Sequence, residues 1–223
     1  MIDLRKVREG LVIAVDKPYM WTSFNVVNKV KWLISKKLKE RDIKFGHAGT
    51  LDPLATGLVL ICTGKATKQI EEIQKFEKEY FATARLGCTT PSFDLETQID
   101  ALYPYHHLTR EEVVQALEKF RGESDQVPPV YSAVQVNGKR AYQHARKGEM
   151  IELQPKKITI HEIELLDFSS HAVSFRVVCS KGTYIRALVR DLGQALGCGA
   201  HLVMLKRTRI GSYLLDNAYT VQQ

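Results

Sequence analysis

The sequence predicts an α+β fold built on a largely antiparallel sheet, and three observations support this. Apolar residues recur at helical spacing in some stretches and run continuously or alternate in others, so helices and strands are both expected. The strands do not alternate regularly with helices, as a parallel βαβ sheet would require. A chain of 223 residues, 44% apolar and 26% charged, can bury a sizeable core and has the composition of a folded globular protein. It carries no internal repeat and no clear linker, so residues 1–223 are read as one domain.

The elements follow in order. "LVIAVDKP" (11–18) reads as a buried strand closed by Pro18. Thr22 or Ser23 can cap the next helix, where Phe24, Val27, Val30, Ile34 and Leu38 recur at helical spacing and Trp32 takes another face. "LVLIC" (58–62) is a short apolar strand, "ATKQIEEIQKF" a helix, and "KEYFATARLG" (78–87) a strand ended by Gly87. Residues 88–107 are irregular, broken by Pro91 and Pro104. Thr109 with Glu112 forms a capping box ahead of a stripe of Val113, Val114, Leu117 and Phe120. "SAVQV", "NGK" and "AYQHARKG" read as strand, tight turn and short basic helix. Strands are expected near 156–167 and 172–180, followed by an amphipathic helix over 183–197 with Ile185, Leu188, Val189, Leu192 and Leu196 inward. "HLVMLKRTRIGSYLL" supplies the last strands.

Charge and cysteines narrow the function. The formal net charge is +7, concentrated between Lys29 and Lys44, in "GKRAYQHARKG" (138–148) and in "KRTR" (206–209). Such patches suit a polyanion such as nucleic acid, and they also suit lysine-rich helices that simply stay solvated. No run of about 18 apolar residues is present, which excludes a helical membrane span. The charged N-terminus lacks the apolar segment of a signal peptide. Cys62, Cys88, Cys179 and Cys198 form no CxxC and no zinc spacing. A cytoplasmic protein with reduced thiols, no metal and no membrane partner is expected. With no heptad pattern, a monomer is expected.

Several motifs fail. "TGKAT" (63–67) resembles the end of a P-loop, but Val59 stands where the first glycine belongs and Ala66 where Ser or Thr belongs. His106 and His107 are adjacent and lack a carboxylate at helical spacing. There is no G-x-S-x-G elbow. What remains is "GHAGTLDPLATG" (46–57), which sets Asp52 against Pro53 among glycines, with no further acidic residue until Glu71. A residue before proline is driven to extended geometry, and glycines let backbone approach a ligand. An Asp-Pro pair between glycines is also an ordinary turn, and the spacing fits both readings.

The wider string resembles a family. "GHAGTLDPLATGLVLICTGKATK" (46–68), "DKPYMWTSFNVVNKV" (16–30), "KEYFATARLG", "VPPVYSAVQVNGKRAYQHARKGE" (127–149) and "CSKGTYIRALVRDLGQALGCGAHLVMLKRTRIG" (179–211) are similar, in order, to the TruB family of tRNA pseudouridine synthases, which modify uridine 55 in the T-loop. The resemblance implies the pseudouridine synthase fold, with helices flanking a mixed central sheet, and no cofactor. It makes Asp52 the catalytic aspartate, Arg186 its ion-pair partner and Tyr80 the tyrosine that stacks on the target base. It makes His47, Tyr184 and Leu205 contacts of the flipped nucleotide, and Lys17 with Pro18 a support for the catalytic loop. The segment 127–149 becomes an insertion that grips the T-arm stem-loop, where Lys139, Arg140, Arg146 and Lys147 track the RNA backbone.

Some positions depart from the pattern. Met20 stands where many members have glycine, Ala48 replaces a common threonine, and "TTPSFD" (89–94) keeps only Asp94 of a more acidic segment. Many bacterial members continue past a point like "YTVQQ" into an RNA-binding PUA domain. A short bacterial form without that domain is expected, with weaker tRNA affinity and intact chemistry.

The implied reaction suits a single acid. It breaks the N1–C1′ bond of uridine, rotates the uracil and joins C5 to C1′, with no redox change and no energy input. One carboxylate can serve as nucleophile or base, at C1′, at C6 or at the 2′ position. Burial favours a neutral acid, a close guanidinium the charged form, and arginine offers a planar fork that lysine does not. Tyr80 and Tyr184 can give aromatic faces to a flipped base or serve as core tyrosines. Two rivals stand beside this reading: a non-catalytic RNA-binding module, and a relative acting within a guide-RNA complex.

Overall fold

The structure, a computed structural model, describes residues 3–40, 42–136, 138–169 and 171–222. Its elements run β1 Val12–Lys17, α1 Ser23–Leu38, β2 Phe45–His47, β3 Thr56–Thr63, α2 Ile70–Gln74, β4 Lys78–Leu86, β5 Cys88–Thr89 and β6 Ala101–Leu102. They continue with α3 Arg110–Glu118, β7 Gly122–Gln126, β8 Gln135–Val136, β9 Lys139–Arg140, α4 Ala141–Ala145, β10 Lys156–Ser169 and β11 Ala172–Cys179. The chain closes with α5 Ile185–Ala195, β12 Ala200–Ile210, β13 Tyr213–Leu214 and β14 Tyr219–Thr220. Two compact units result, Met1–Tyr80 with Leu205–Gln223, and Phe81–Met204. Strands β4 and β12 each contribute residues to both.

The first unit is organised around β3, whose residues from Gly57 to Thr63 are all buried. It pairs antiparallel with β1, Val12 opposite Cys62 and Lys17 opposite Gly57, and antiparallel with β2, Phe45 opposite Thr63. On its other side it runs parallel to β12, Arg207 opposite Gly57. Strand β14 lies parallel to β1, so the sheet is mixed. Leu58, Leu60 and Cys62 pack with Ala48, Ala66, Ile73 and Ile210 in the core.

Thr22, rather than Ser23, caps α1: its hydroxyl accepts from the Asn25 amide at 3.0 Å, and Asn25 Oδ1 accepts from the Thr22 amide at 2.8 Å. The buried row of α1 is Ser23, Val26, Val27, Val30 and Ile34. Val27, Val30 and Ile34 of the stripe read from sequence are buried, whereas Phe24, in the first turn, is 64% exposed. Trp32 lies on an outer face as expected, with Lys29 and Lys36 over its ring.

The second unit is built on the long antiparallel pair β10–β11, Ile160 opposite Cys179 and Ser169 opposite Ala172. Strand β7 pairs with β10, Gln126 opposite Lys156. β7 is "GESDQ", a polar run without alternation; it is a strand because β10 supplies its hydrogen-bond ladder, which no local pattern announces. The Thr109–Glu112 capping box opens α3 as expected, and Val113, Ala116 and Leu117 are buried while Val114 is exposed. In α5, Ile185, Leu188, Val189 and Leu192 are buried with Arg186. The helix starts at Ala141 as read from the sequence, but Lys139, expected in the tight turn, pairs with Arg140 in the short strand β9. Asn137 of the expected "NGK" turn lies outside the described residues.

Candidate active site

Asp52 sits in the first unit, half-buried, in the loop from β2 to β3. Nearly every peptide around it is tied to something rigid. The Ala48 amide donates to the Leu60 carbonyl at 2.9 Å. Ser23 Oγ accepts from the Leu51 amide at 2.8 Å and donates to the Leu51 carbonyl at 3.2 Å. The Met20 amide donates to the Pro53 carbonyl at 2.9 Å, and the Ala55 amide donates to the Asp52 carbonyl at 3.1 Å, closing a tight turn. Lys17 is fully buried at the end of β1, and its ammonium donates to the carbonyls of Trp21 at 2.6 Å, Pro18 at 3.0 Å and Pro53 at 3.3 Å. The Lys17–Pro18 pair thus holds the entry to α1 and the residue after Asp52 together.

Burial pushes the Lys17 ammonium down to about 8; Asp52 and Asp16 oppose this and Arg207 adds to it. Met20, where many members of the resembled family have glycine, has φ of 66°, the left-handed region that glycine enters without cost, and its side chain is exposed.

Arg207 was not singled out by the sequence reading, which took "KRTR" for a basic surface patch. Strand alternation corrects this. Arg207 is 1% exposed, two residues beyond buried Leu205 on the same face of β12, whereas Lys206 points to solvent. Its guanidinium donates from Nε to the Leu58 carbonyl at 2.7 Å, from Nη1 to Thr50 at 3.2 Å and from Nη2 to Gly49 at 3.3 Å. Arg209 of the same patch pairs with Glu77. His47 closes β2 with Nδ1 buried and without a hydrogen-bond partner among the described residues. Burial holds its pKa below the ordinary value, the Gly49 backbone opposing and Arg207 adding to the drop. Tyr80 is buried on β4, at 8% exposure.

The second unit holds Tyr184 and Arg186. Tyr184 is the N-cap residue of α5, and its peptide is bracketed by Gln126: the Tyr184 amide donates to Oε1 at 2.8 Å, and Nε2 donates to the Tyr184 carbonyl at 3.2 Å. Arg186, in the first turn of α5, is buried; Nη1 donates to the Ser92 carbonyl at 3.1 Å and Nη2 to the Tyr131 carbonyl at 3.0 Å. Its Nε lies 3.6 Å from the Asp94 carboxylate, itself buried. Asp94 Oδ1 accepts from Ser92 Oγ at 2.6 Å and from the Glu96 amide at 2.9 Å. Sequence reasoning noted Asp94 only as the acid left in a substituted segment and missed Gln126, a polar side chain at the end of a strand it had not recognised.

The four predicted RNA-backbone residues share one short stretch but not one environment. Lys139 and Lys147 are exposed. Arg140, also exposed, donates to the Ala133 carbonyl at 2.7 Å. Arg146 pairs with Glu96 at 2.8 Å and lies over the Tyr142 ring. Among the described residues, no group of three His, Cys, Asp or Glu side chains is placed to hold a metal ion.

Known proteins resemble this chain along nearly its whole length. The family profile described as TruB family pseudouridylate synthase (N terminal domain) matches residues 35–185, and that of the tRNA pseudouridylate synthase B C-terminal domain matches 186–223. The tRNA pseudouridine synthase B of Phocaeicola vulgatus is 59% identical over 215 residues, 96% of this chain and 92% of the relative. That of Flavobacterium johnsoniae is 51% identical over 214 residues, 96% and 93% of the two. Among solved structures, an H/ACA ribonucleoprotein bound to a substrate RNA containing 2′-deoxyuridine superposes with a TM-score of 0.69 at 28% identity, and a Cbf5–Nop10–Gar1 complex with 0.70 at 29%. Each match covers 98% of this chain but only 53% and 54% of the longer chain it meets.

Proposed function

The chain belongs to the TruB family of pseudouridylate synthases, and on that premise we propose that it isomerises uridine to pseudouridine at position 55 in the T-loop of tRNAs. The observation that carries the reading is the loop around Asp52: a single carboxylate whose neighbouring peptides are each fixed by a buried side chain or a backbone bond. Such fixing is what a group needs when it must meet one atom of a flipped nucleotide.

In this reading the T-arm docks on the insertion 127–149, where exposed Lys139, Arg140 and Lys147 meet phosphates and set register without reading sequence. Arg146 joins them by exchanging Glu96 for a phosphate. The target uridine leaves its stack, at a cost of a few kcal/mol, which an aromatic face offsets in part. Tyr80 supplies that face, Leu205 an apolar wall, and His47 a neutral imidazole near pH 7, since burial keeps it below its ordinary pKa. Asp52 is the reacting carboxylate, and the family resemblance gives Arg186 as the guanidinium that would support its charge. The N1–C1′ bond breaks, the uracil turns, and C5 bonds to C1′; the proton on C5 then leaves and N1 ends protonated, so product and substrate are isomers. Tyr80 is the candidate to take part in that last proton loss.

The test uses a T-arm stem-loop carrying tritium at C5 of its uridines. Release by the wild-type chain, abolished in Asp52→Ala and mapped by carbodiimide primer extension to one T-loop uridine, is the expected result. Tight RNA binding without release would favour a non-catalytic RNA-binding module. Release only from another RNA would reassign the substrate.

A further inference from the structure

We infer that Arg207, with Ser23, is a positioning residue for the isomerisation: the two side chains clamp the backbone on the N-terminal side of Asp52 and thereby aim its carboxylate. The inference rests on the reading of Asp52 as the reacting group.

Three observations lead to it. First, the guanidinium of Arg207 is buried and pairs with no carboxylate among the described residues; its Nε, Nη1 and Nη2 donate to the carbonyls of Leu58, Thr50 and Gly49. A buried charge left without an opposite charge is costly, so the site is held by this fork of carbonyls rather than by an ion pair. Second, the spacing is built for it. Gly57 faces Arg207 in the parallel β3–β12 pair with φ of 104°, and a Cβ there would sit 2.2 Å from the Arg207 carbonyl oxygen. Only a glycine lets β12 come close enough for Nε to reach Leu58. Third, the next peptide is taken by Ser23, which both accepts from and donates to Leu51. Residues 49, 50 and 51 are therefore held consecutively by β12 and α1, and Asp52 is the next residue in the chain. Its direction follows from theirs.

A lysine at 207 keeps the charge but has one nitrogen in place of a planar fork. Misplacement of a reacting group by about 1 Å costs on the order of 10²-fold in rate. Arg207→Lys is therefore expected to lower the single-turnover rate at saturating T-arm RNA by about 100-fold, with RNA affinity within about twofold of wild type. Hydrogen exchange followed by mass spectrometry should rise in peptides covering 48–55 and stay unchanged in those covering β1 and β14. Ser23→Ala removes one neutral bond pair and no buried charge; it is expected to lower the same rate by about fivefold, also without loss of affinity. It keeps the test open should Arg207→Lys fail to fold.

A folded Arg207→Lys or Ser23→Ala turning over at the wild-type rate would overturn the clamp. So would exchange that rises throughout the first unit, since that marks a general loss of packing. An Asp52→Ala variant run in parallel separates the two readings: if it keeps full activity, the role of Asp52 fails first, whereas a dead Asp52→Ala beside a wild-type Arg207→Lys rejects the clamp alone.

Discussion

The loop of residues 48–55 and the insertion of residues 127–149 are both rich in turns, both lie outside the long strands, and each is given a part in the proposed reaction. They are held in opposite ways. Around Asp52 the ties come from far along the chain: Ser23, Lys17 and Arg207 are all buried and reach the loop from α1, β1 and β12. In the insertion most ties are local. Arg140 reaches Ala133, His144 meets Glu149 and the Val136 carbonyl, and the two strands are two residues each. A distant buried tie fixes a side chain to a fraction of an ångström, which bond rearrangement demands. A local surface tie gives way, which suits a charged arm that has to follow an RNA backbone. Longer ties reach it from Arg186 to the Tyr131 carbonyl and from Arg190 to the Val127 carbonyl, both near its start; on its basic arm the longer tie, Arg146 to Glu96, is solvent-exposed on both sides and therefore weak.

The contrast breaks first at Asp52. Asp52→Ala is expected to abolish tritium release, a loss of at least about 10⁴-fold, while RNA affinity measured by filter binding hardly changes. A parallel loss of binding would mean that the loop grips RNA as the insertion does.

Arg186→Lys comes next. The guanidinium divides its donors between Ser92, Tyr131 and Asp94, and one ammonium cannot serve all three. A drop of about 10²-fold in single-turnover rate is expected, with a thermal midpoint lowered by a few degrees. A rate equal to wild type would leave Arg186 a packing residue.

A smaller effect, on the other side of the comparison, is expected from Lys139→Ala with Arg140→Ala. Affinity should fall, and the slope of log K against log salt should shrink by about 1.5–2, as two phosphate contacts are removed. The rate at saturation should remain near wild type. A large fall in that rate with unchanged binding would sink the assignment of this arm to the phosphates.

The smallest effect is on stability. His47 and His201 both have native pKa values below the ordinary 6.5, chiefly through burial. As pH falls through 6.5 the unfolded chain takes up protons that the native histidines do not, so stability present above that value is lost on acidification. Urea midpoints are expected to fall between about pH 7 and 5.5, and His201→Asn, away from the reacting loop, should flatten that slope. An unchanged slope would show that His201 titrates as in the unfolded chain.

How much of this was legible beforehand differs by residue. Asp52, Lys17 and Pro18 lie in short continuous motifs, so the family resemblance brought them to notice. The Thr109–Glu112 capping box and the buried face of α5 were readable because their partners lie within one or two turns. Arg207 was misread as surface charge because a run of basic residues looks uniform in sequence, whereas alternation along β12 sends Lys206 out and Arg207 in. Gln126 and Asp94 went unassigned because their meaning comes from Tyr184 and Arg186, 58 residues away along the chain in the first case.

By itself the sequence determined the α+β class, most helix starts and the presence of a basic arm, since each depends on interactions a few residues long, while the family resemblance singled out Asp52 as the candidate acid. The tertiary structure alone decided which polar side chains are spent inside the protein: β7 exists because β10 pairs with it, Ser23 turns from capping to holding Leu51, and Arg207 gives its charge to three carbonyls. The physical reason is that burial changes what a polar group must do. In water a lysine or arginine has solvent for a partner anywhere, whereas inside the fold each donor requires a particular acceptor, and only the packed chain determines which one is within reach.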